Sequence, residues 1–182
     1  MKANIALVGF MGSGKTTIGR ILAKSLDMKF IDIDRCISIR EKKTIPEIFE
    51  EYGEKHFRDL ERKIIEEESS DNNIVISTGG GAIVDNVNIK NLKTTSFVVF
   101  LDCDVNTIYE RVKRSKTRPL LNNSDDILKT IEELYEKRKT LYKISSDFSI
   151  KIDLNTNIYD SVEKIKNAYI LSYGGFYEQI IR

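Results

Sequence analysis

Residues 9–17 read Gly-Phe-Met-Gly-Ser-Gly-Lys-Thr-Thr and fit the pattern G-x-x-x-x-G-K-[ST]. Glycines at 9, 12 and 14 let the backbone wrap inward, so that successive N–H groups can point at phosphate oxygens. Lys15 brings a point charge to the same loop, and Thr16 brings a hydroxyl suited to Mg²⁺. An apolar run precedes the pattern and a helix-like segment follows it, which adds the positive end of a helix dipole. In that setting the loop reads as a nucleotide-phosphate site of the kinase type, not as a bare glycine-rich turn.

Further side chains with chemical potential cluster where other apolar runs end. Asp32 and Asp34 are two apart, so a strand that continued through both would present them on one face. One could hold a hydrated Mg²⁺ while the other accepts a hydrogen bond from an attacking hydroxyl; the lesser alternative is that Asp34 only caps a helix starting near Arg35. Gly79, Gly80 and Gly81 follow the third apolar run and leave the backbone bare, which suits close approach of a ligand and also a sharp turn. Arg58 precedes Glu61 by three residues, the spacing of an ordinary helix-surface ion pair. Arg138 is harder to dismiss, because it interrupts an apolar stripe. Residues 111–118 include five basic side chains, either a solvated helix end or a lid over polyphosphate. For the metal, Asp32 acting through water is preferred over Asp102, which ends the fourth apolar run.

These groups need a frame. Short runs rich in Val, Ile and Phe at residues 5–8, 30–33, 74–76, 97–101 and 148–152 read as buried strands, and helical stripes separate them. Such alternation predicts an α/β fold with a parallel sheet covered on both faces, whose ligands gather at the carboxyl ends of the strands. Two regions break the alternation: residues 35–69, expected to be helical throughout, and the basic, polar residues 113–126. They are the expected places for a substrate platform and a lid.

The chain has 182 residues, the length of one α/β domain, with 29 Lys and Arg against 28 Asp and Glu. A net charge of +1 provides no long-range field favouring nucleic acid or an anionic membrane, so a small-molecule partner is expected. Cys36, Cys103 and the single His56 lie too far apart for a disulfide framework or a structural zinc site. The apolar stretch after Met1 is too short for a signal peptide, and a cytoplasmic monomer is expected.

Taken together, the segments GFMGSGKTT, FIDIDRCI, TIPEIFEEYGEKHFRDLE, STGGGAI, TRPLL and ELYEKRKTLY resemble the shikimate kinases in order and approximate spacing. The resemblance implies a three-layer P-loop fold with a five-stranded parallel sheet in the order 2-3-1-4-5. A substrate region is implied at about residues 33–61, a lid at about 113–124, and a single domain over 1–170 with residues 171–182 as an extension. ATP and Mg²⁺ are the implied co-substrate and metal, and shikimate 3-phosphate and ADP the products. Gly12, Ser13, Gly14, Lys15, Thr16 and Thr17 would hold the nucleotide, with Arg111 on the adenine and residues 153–156 across from it. Thr16 and Asp32 would serve the Mg²⁺. Asp34 would orient the 3-hydroxyl of shikimate, Arg58 and Arg138 would clamp its carboxylate, and Gly79, Gly80 and Gly81 would line its pocket. Lys15, Asp34 and a lid residue, Arg118, are the implied catalytic set. The alternatives are a P-loop kinase for another hydroxy acid such as gluconate, or a silent ligand-sensing module. One departure from the family pattern stands at Ile144-Ser145-Ser146-Asp147, before the last strand.

Overall fold

A computed structural model describes residues 3–113 and 126–180, with side chains as far as residue 172. Strands β1 (Asn4–Val8), β2 (Lys29–Asp32), β3 (Ile74–Ser77), β4 (Ser96–Cys103) and β5 (Phe148–Ile152) form one sheet in the order β2-β3-β1-β4-β5. Every pairing is parallel. All residues of β1, β3 and β4 are buried, so helices must cover both faces, and near-continuous apolar sequence is what such strands require. The edge strands differ: β5 alternates buried and exposed positions along Ser149 to Ile152.

The described helices are α1 (Lys15–Ser25), α2 (Ile33–Glu41), α3 (Ile45–Ser69), α4 (Asn86–Thr95), α5 (Val105–Val112), α6 (Ile127–Ser145) and α7 (Ile158–Ile180). The expected uninterrupted helix over residues 35–69 is instead two helices. Lys42 turns into the left-handed region at φ 54°, and Thr44 restarts the chain with a capping box, its side chain and that of Glu47 each accepting from the other's backbone N–H. Gly53, at φ 79°, then kinks α3.

Register sets the functional rim. Asp32 pairs with Ser77 and Leu7 pairs with Ser77, so β1, β2 and β3 end at one level. Thr78 then donates from both its N–H and its hydroxyl to the Leu7 carbonyl, tying the start of the glycine loop to β1. At the departure before β5, Asp147 accepts from the Val98 N–H at 2.9 Å and donates its own N–H to the Val98 carbonyl at 2.8 Å. That pair fastens the junction to β4. Residues 171–180 continue α7, and among the described residues no helix is long and apolar enough to cross a membrane.

Candidate active site

The phosphate loop leaves β1 and enters α1 through Gly14, at φ 97°, a backbone that side chains with a Cβ rarely adopt. No side chain caps this helix, so its first N–H groups are not taken by a cap and remain available to phosphate. Lys15 is 8% exposed and folds over the loop, donating to the Gly9 carbonyl at 2.7 Å and the Phe10 carbonyl at 2.9 Å. Those bonds aim the ammonium along the loop. A cleft of about 410 Å³ opens here, walled by Gly12, Ser13, Gly14, Lys15, Thr16 and Thr17. Arg111 on α5 also faces it, and its guanidinium donates to the Gly12 carbonyl at 3.0 Å. Thr156, from the loop after β5, also lines the cleft.

Asp32 and Asp34 do not share a strand face. β2 stops at Asp32, whose Oδ1 accepts from the Arg35 N–H and caps α2, so Asp34 occupies the first turn of that helix. The capping role that sequence offered to Asp34 therefore belongs to Asp32. Both carboxylates still reach the cleft. The second oxygen of Asp32 accepts from the Thr16 hydroxyl at 2.7 Å. A hydroxyl and a carboxylate oxygen held together are hard donors that suit Mg²⁺, which keeps several waters and takes its other ligands from phosphates. Among the described residues no cluster of three or more His, Cys, Asp or Glu could hold a metal by itself.

Asp102 has a different occupation. It is 6% exposed, accepts from the Tyr135 hydroxyl at 2.5 Å, and pairs with Lys151, its register partner on β5. Burial alone would raise its pKa, but the bonds from Lys151 and Tyr135 hold it below the ordinary value. We expect Asp102→Asn to lower thermal stability while leaving the Mg²⁺ dependence of turnover intact, and Asp32→Asn to shift the Mg²⁺ requirement upward. Titrating activity with Mg²⁺ in both variants checks this, and the reverse pattern would assign the metal to Asp102.

Across the rim, the glycine loop stands against the phosphate loop. A Cβ placed on Gly80 would lie 2.9 Å from the Met11 backbone nitrogen, and one on Gly81 would lie 2.5 Å from an Arg58 guanidinium nitrogen. Backbone contact between the two loops is possible only because Gly80 has no side chain. A Cβ on Gly79 would run into Glu61 at 2.5 Å and Asp34 at 2.9 Å, so both carboxyls flank that residue. Arg58 stacks over Phe57 and donates to Glu61 at 2.7 Å and Glu54 at 3.0 Å. Arg138, on α6, lies over the Phe10 ring and donates to the Gly80 carbonyl at 3.4 Å. Residues far apart in sequence thus gather around three glycines: Asp34, Arg58 and Arg138. Arg118 and nearly all of the expected lid lie outside the described residues.

A scan against family models matches residues 11–169 to the family described as shikimate kinase. The chain belongs to the shikimate kinase family. A member from Persephonella marina is 48% identical over 139 residues, spanning 76% of this chain and 83% of that one. Another, from Macrococcus caseolyticus, is 41% identical over 170 residues, or 92% and 97%. Among solved structures, the shikimate kinase of Acinetobacter baumannii in complex with shikimate superposes with a TM-score of 0.88 at 38% identity, covering 93% of each chain. A gluconokinase from Sinorhizobium meliloti shares the fold at a TM-score of 0.59 but only 17% identity.

Two residues beside this family's site escaped the sequence reading. Glu61 passes in sequence for the partner of a surface ion pair, yet it is fully buried. Tyr142 passes for one member of an apolar stripe. It is buried, stacks on Phe100 with ring centroids 5.0 Å apart, and donates its hydroxyl to the Gly80 carbonyl at 2.5 Å. Arg138 and Tyr142 are four apart on α6 and converge on the same oxygen, a spacing that could have signalled a shared target. We expect Tyr142→Phe to raise the acceptor KM about fivefold, the worth of one hydrogen bond of about 1 kcal/mol, and to leave the ATP KM unchanged. Steady-state kinetics with each substrate varied will show it; parallel effects on both constants would indicate only a loosened fold.

Proposed function

We propose that the chain transfers the γ-phosphoryl group of ATP to the 3-hydroxyl of shikimate, giving shikimate 3-phosphate and ADP. The observation that supports this reading is the close approach of Gly80 to the Met11 backbone, which brings Arg58 and Arg138, gathered at the glycine loop, beside the phosphate loop. Family membership narrows the acceptor to shikimate.

In this reading the nucleotide phosphates lie against Gly12, Ser13, Gly14, Lys15, Thr16 and Thr17, with Arg111 and Thr156 toward the base. Lys15 follows the charge that shifts onto the β- and γ-phosphate oxygens. Thr16 and Asp32, already joined by a hydrogen bond, would hold Mg²⁺, Asp32 through water, and the ion would supply neutralisation of phosphate charge. Arg58 and Arg138 present planar forks to the shikimate carboxylate, which fixes orientation as well as charge. Asp34 accepts a hydrogen bond from the attacking 3-hydroxyl and aligns it toward the γ-phosphorus. Phosphoryl transfer passes through a loose transition state, so alignment and electrostatics matter more than basicity. Arg118 supplies a further cation to the transferring group.

Purified chain with ATP and Mg²⁺ should release ADP above its ATPase background when shikimate is present, and not when gluconate replaces it. ADP release no higher with shikimate than the ATPase background would overturn the proposal. Faster release with gluconate would reassign the acceptor.

A further inference from the structure

Glu61 occupies an unusual position for a carboxyl group. Its residue is 0% exposed; Oε2 accepts from Arg58, while Oε1 is buried with no hydrogen-bond partner among the described residues. The charges acting on it come from three elements. Arg58 lies on its own helix, with Glu54 on the far side of the guanidinium; Asp34 faces it from α2; Arg138 faces it from α6, along with the Tyr142 hydroxyl. Helix α4 also packs on α3, but its Lys90 is exposed and its Lys93 donates to the Ile144 carbonyl. Three carboxyls thus compete for the positive charge of Arg58 and Arg138.

The acceptor reading above, on which this inference rests, adds a fourth. A substrate carboxylate on Arg58 and Arg138 draws on the cation that neutralises Glu61 and removes further water from the pocket. An unpaired buried carboxylate is costly, and the least costly response is neutralisation. We propose that Glu61 takes up one proton from solvent, on Oε1, as the substrate carboxylate engages Arg58, so that acceptor binding is proton-linked. Arg58 remains a cation and changes allegiance, while Glu61 becomes a neutral acid that still accepts through Oε2. Glu61 is a positioning residue here, acting through Arg58.

The free protein is poised for this. Burial, with Asp34 adding to it and Arg58 and Arg138 opposing, pushes the Glu61 pKa up to about 7. Bound substrate raises it further, so binding is tighter at low pH and weakens as pH rises through the free-state value. One linked proton changes affinity by at most about tenfold per pH unit. The ligand does not share this titration, because an ordinary carboxylic acid is ionised well below it.

Calorimetric titration of the full chain with shikimate, at pH 7.5 in two buffers of different ionisation enthalpy, reads the proton count directly. A net uptake of a substantial fraction of one proton is expected, falling to zero in Glu61→Gln, whose affinity should be independent of pH between 6.5 and 8.5. Binding without proton uptake in the unmodified chain would overturn the proposal while leaving the acceptor assignment standing. Persistent uptake in Glu61→Gln would also overturn it. Absence of any shikimate binding would remove the acceptor reading and this inference together. Should Glu61→Gln fail to fold, carbon-13 labelling of glutamate carboxyls gives the same decision: one carboxyl titrating near neutrality must move to higher pKa when shikimate is added, and a stationary one rejects the proposal.

Discussion

Lys15→Ala is expected to lower kcat by about 10²–10³-fold, the loss typical of removing one preorganised electrostatic donor from a transition state. In the proposed reading the ammonium is the loop's own cation for the phosphates, and it rests on the Gly9 and Phe10 carbonyls. Charge that grows on the γ-phosphoryl oxygens then meets a cation carried by the loop itself. Lys15→Arg should fail to rescue, because a planar fork replaces a compact point charge in a space bounded by two carbonyls and the Ser13 hydroxyl. Stability should change little, with a thermal midpoint within a few degrees of the parent. Stopped-time assays at saturating substrates test this, and retention of more than a tenth of kcat would place the essential charge elsewhere.

Arg58→Ala should raise the shikimate KM by roughly 10–100-fold, since hydrogen bonds to a charged group contribute about 1.5–3 kcal/mol, and should leave the ATP KM within about twofold. Equal effects on the two constants would contradict a carboxylate-clamp role. The same substitution has a second consequence. Burial and Asp34 raise the Glu61 pKa while Arg58 opposes them, and deleting Arg58 removes the larger of the opposing influences. A carboxyl whose pKa is raised on folding binds protons more tightly in the folded state. Its contribution to stability therefore falls as pH rises from its ordinary value of 4.5 toward the folded value, here about 7 in the parent and higher in the variant. Arg58→Ala should accordingly be less stable at pH 8 than at pH 6 by more than the parent is. Adding Glu61→Gln should restore stability without restoring affinity for shikimate. Thermal melts and KM values for the single and double variants separate the two roles of the arginine.

How far these groups could be foreseen depended on the range of the interaction that places them. Lys15 and Thr16 sit inside one local motif, and a phosphate loop is built from backbone conformations that nine consecutive residues prescribe. Asp32 and Asp34 were legible as a pair, but their geometry was not. A strand and a helix start with the same Ile-Asp letters, and the boundary falls at Asp32 because its side chain reaches the Arg35 N–H. The break at residues 42–44 was equally local, signalled by the Thr44 and Glu47 spacing of a capping box, which the expectation of one continuous helix passed over. Asp102 could be judged only with its neighbours present, since Tyr135 and Lys151 occupy a carboxylate that sequence alone leaves open to a metal.

The amino-acid sequence by itself determined the strand order's ingredients, the phosphate loop, and the identities of the arginines and glycines opposite it. Periodicity and turn chemistry are properties of neighbouring residues, and they survive without a fold. Tertiary structure decided what each ionisable group experiences. Glu61 and Glu54 are both acids that pair with Arg58, one fully buried beside Asp34 and the other half exposed. Only packing distinguishes a solvated surface pair from a buried carboxyl pushed to about 7, because desolvation and charge proximity are set by chain segments dozens of residues away.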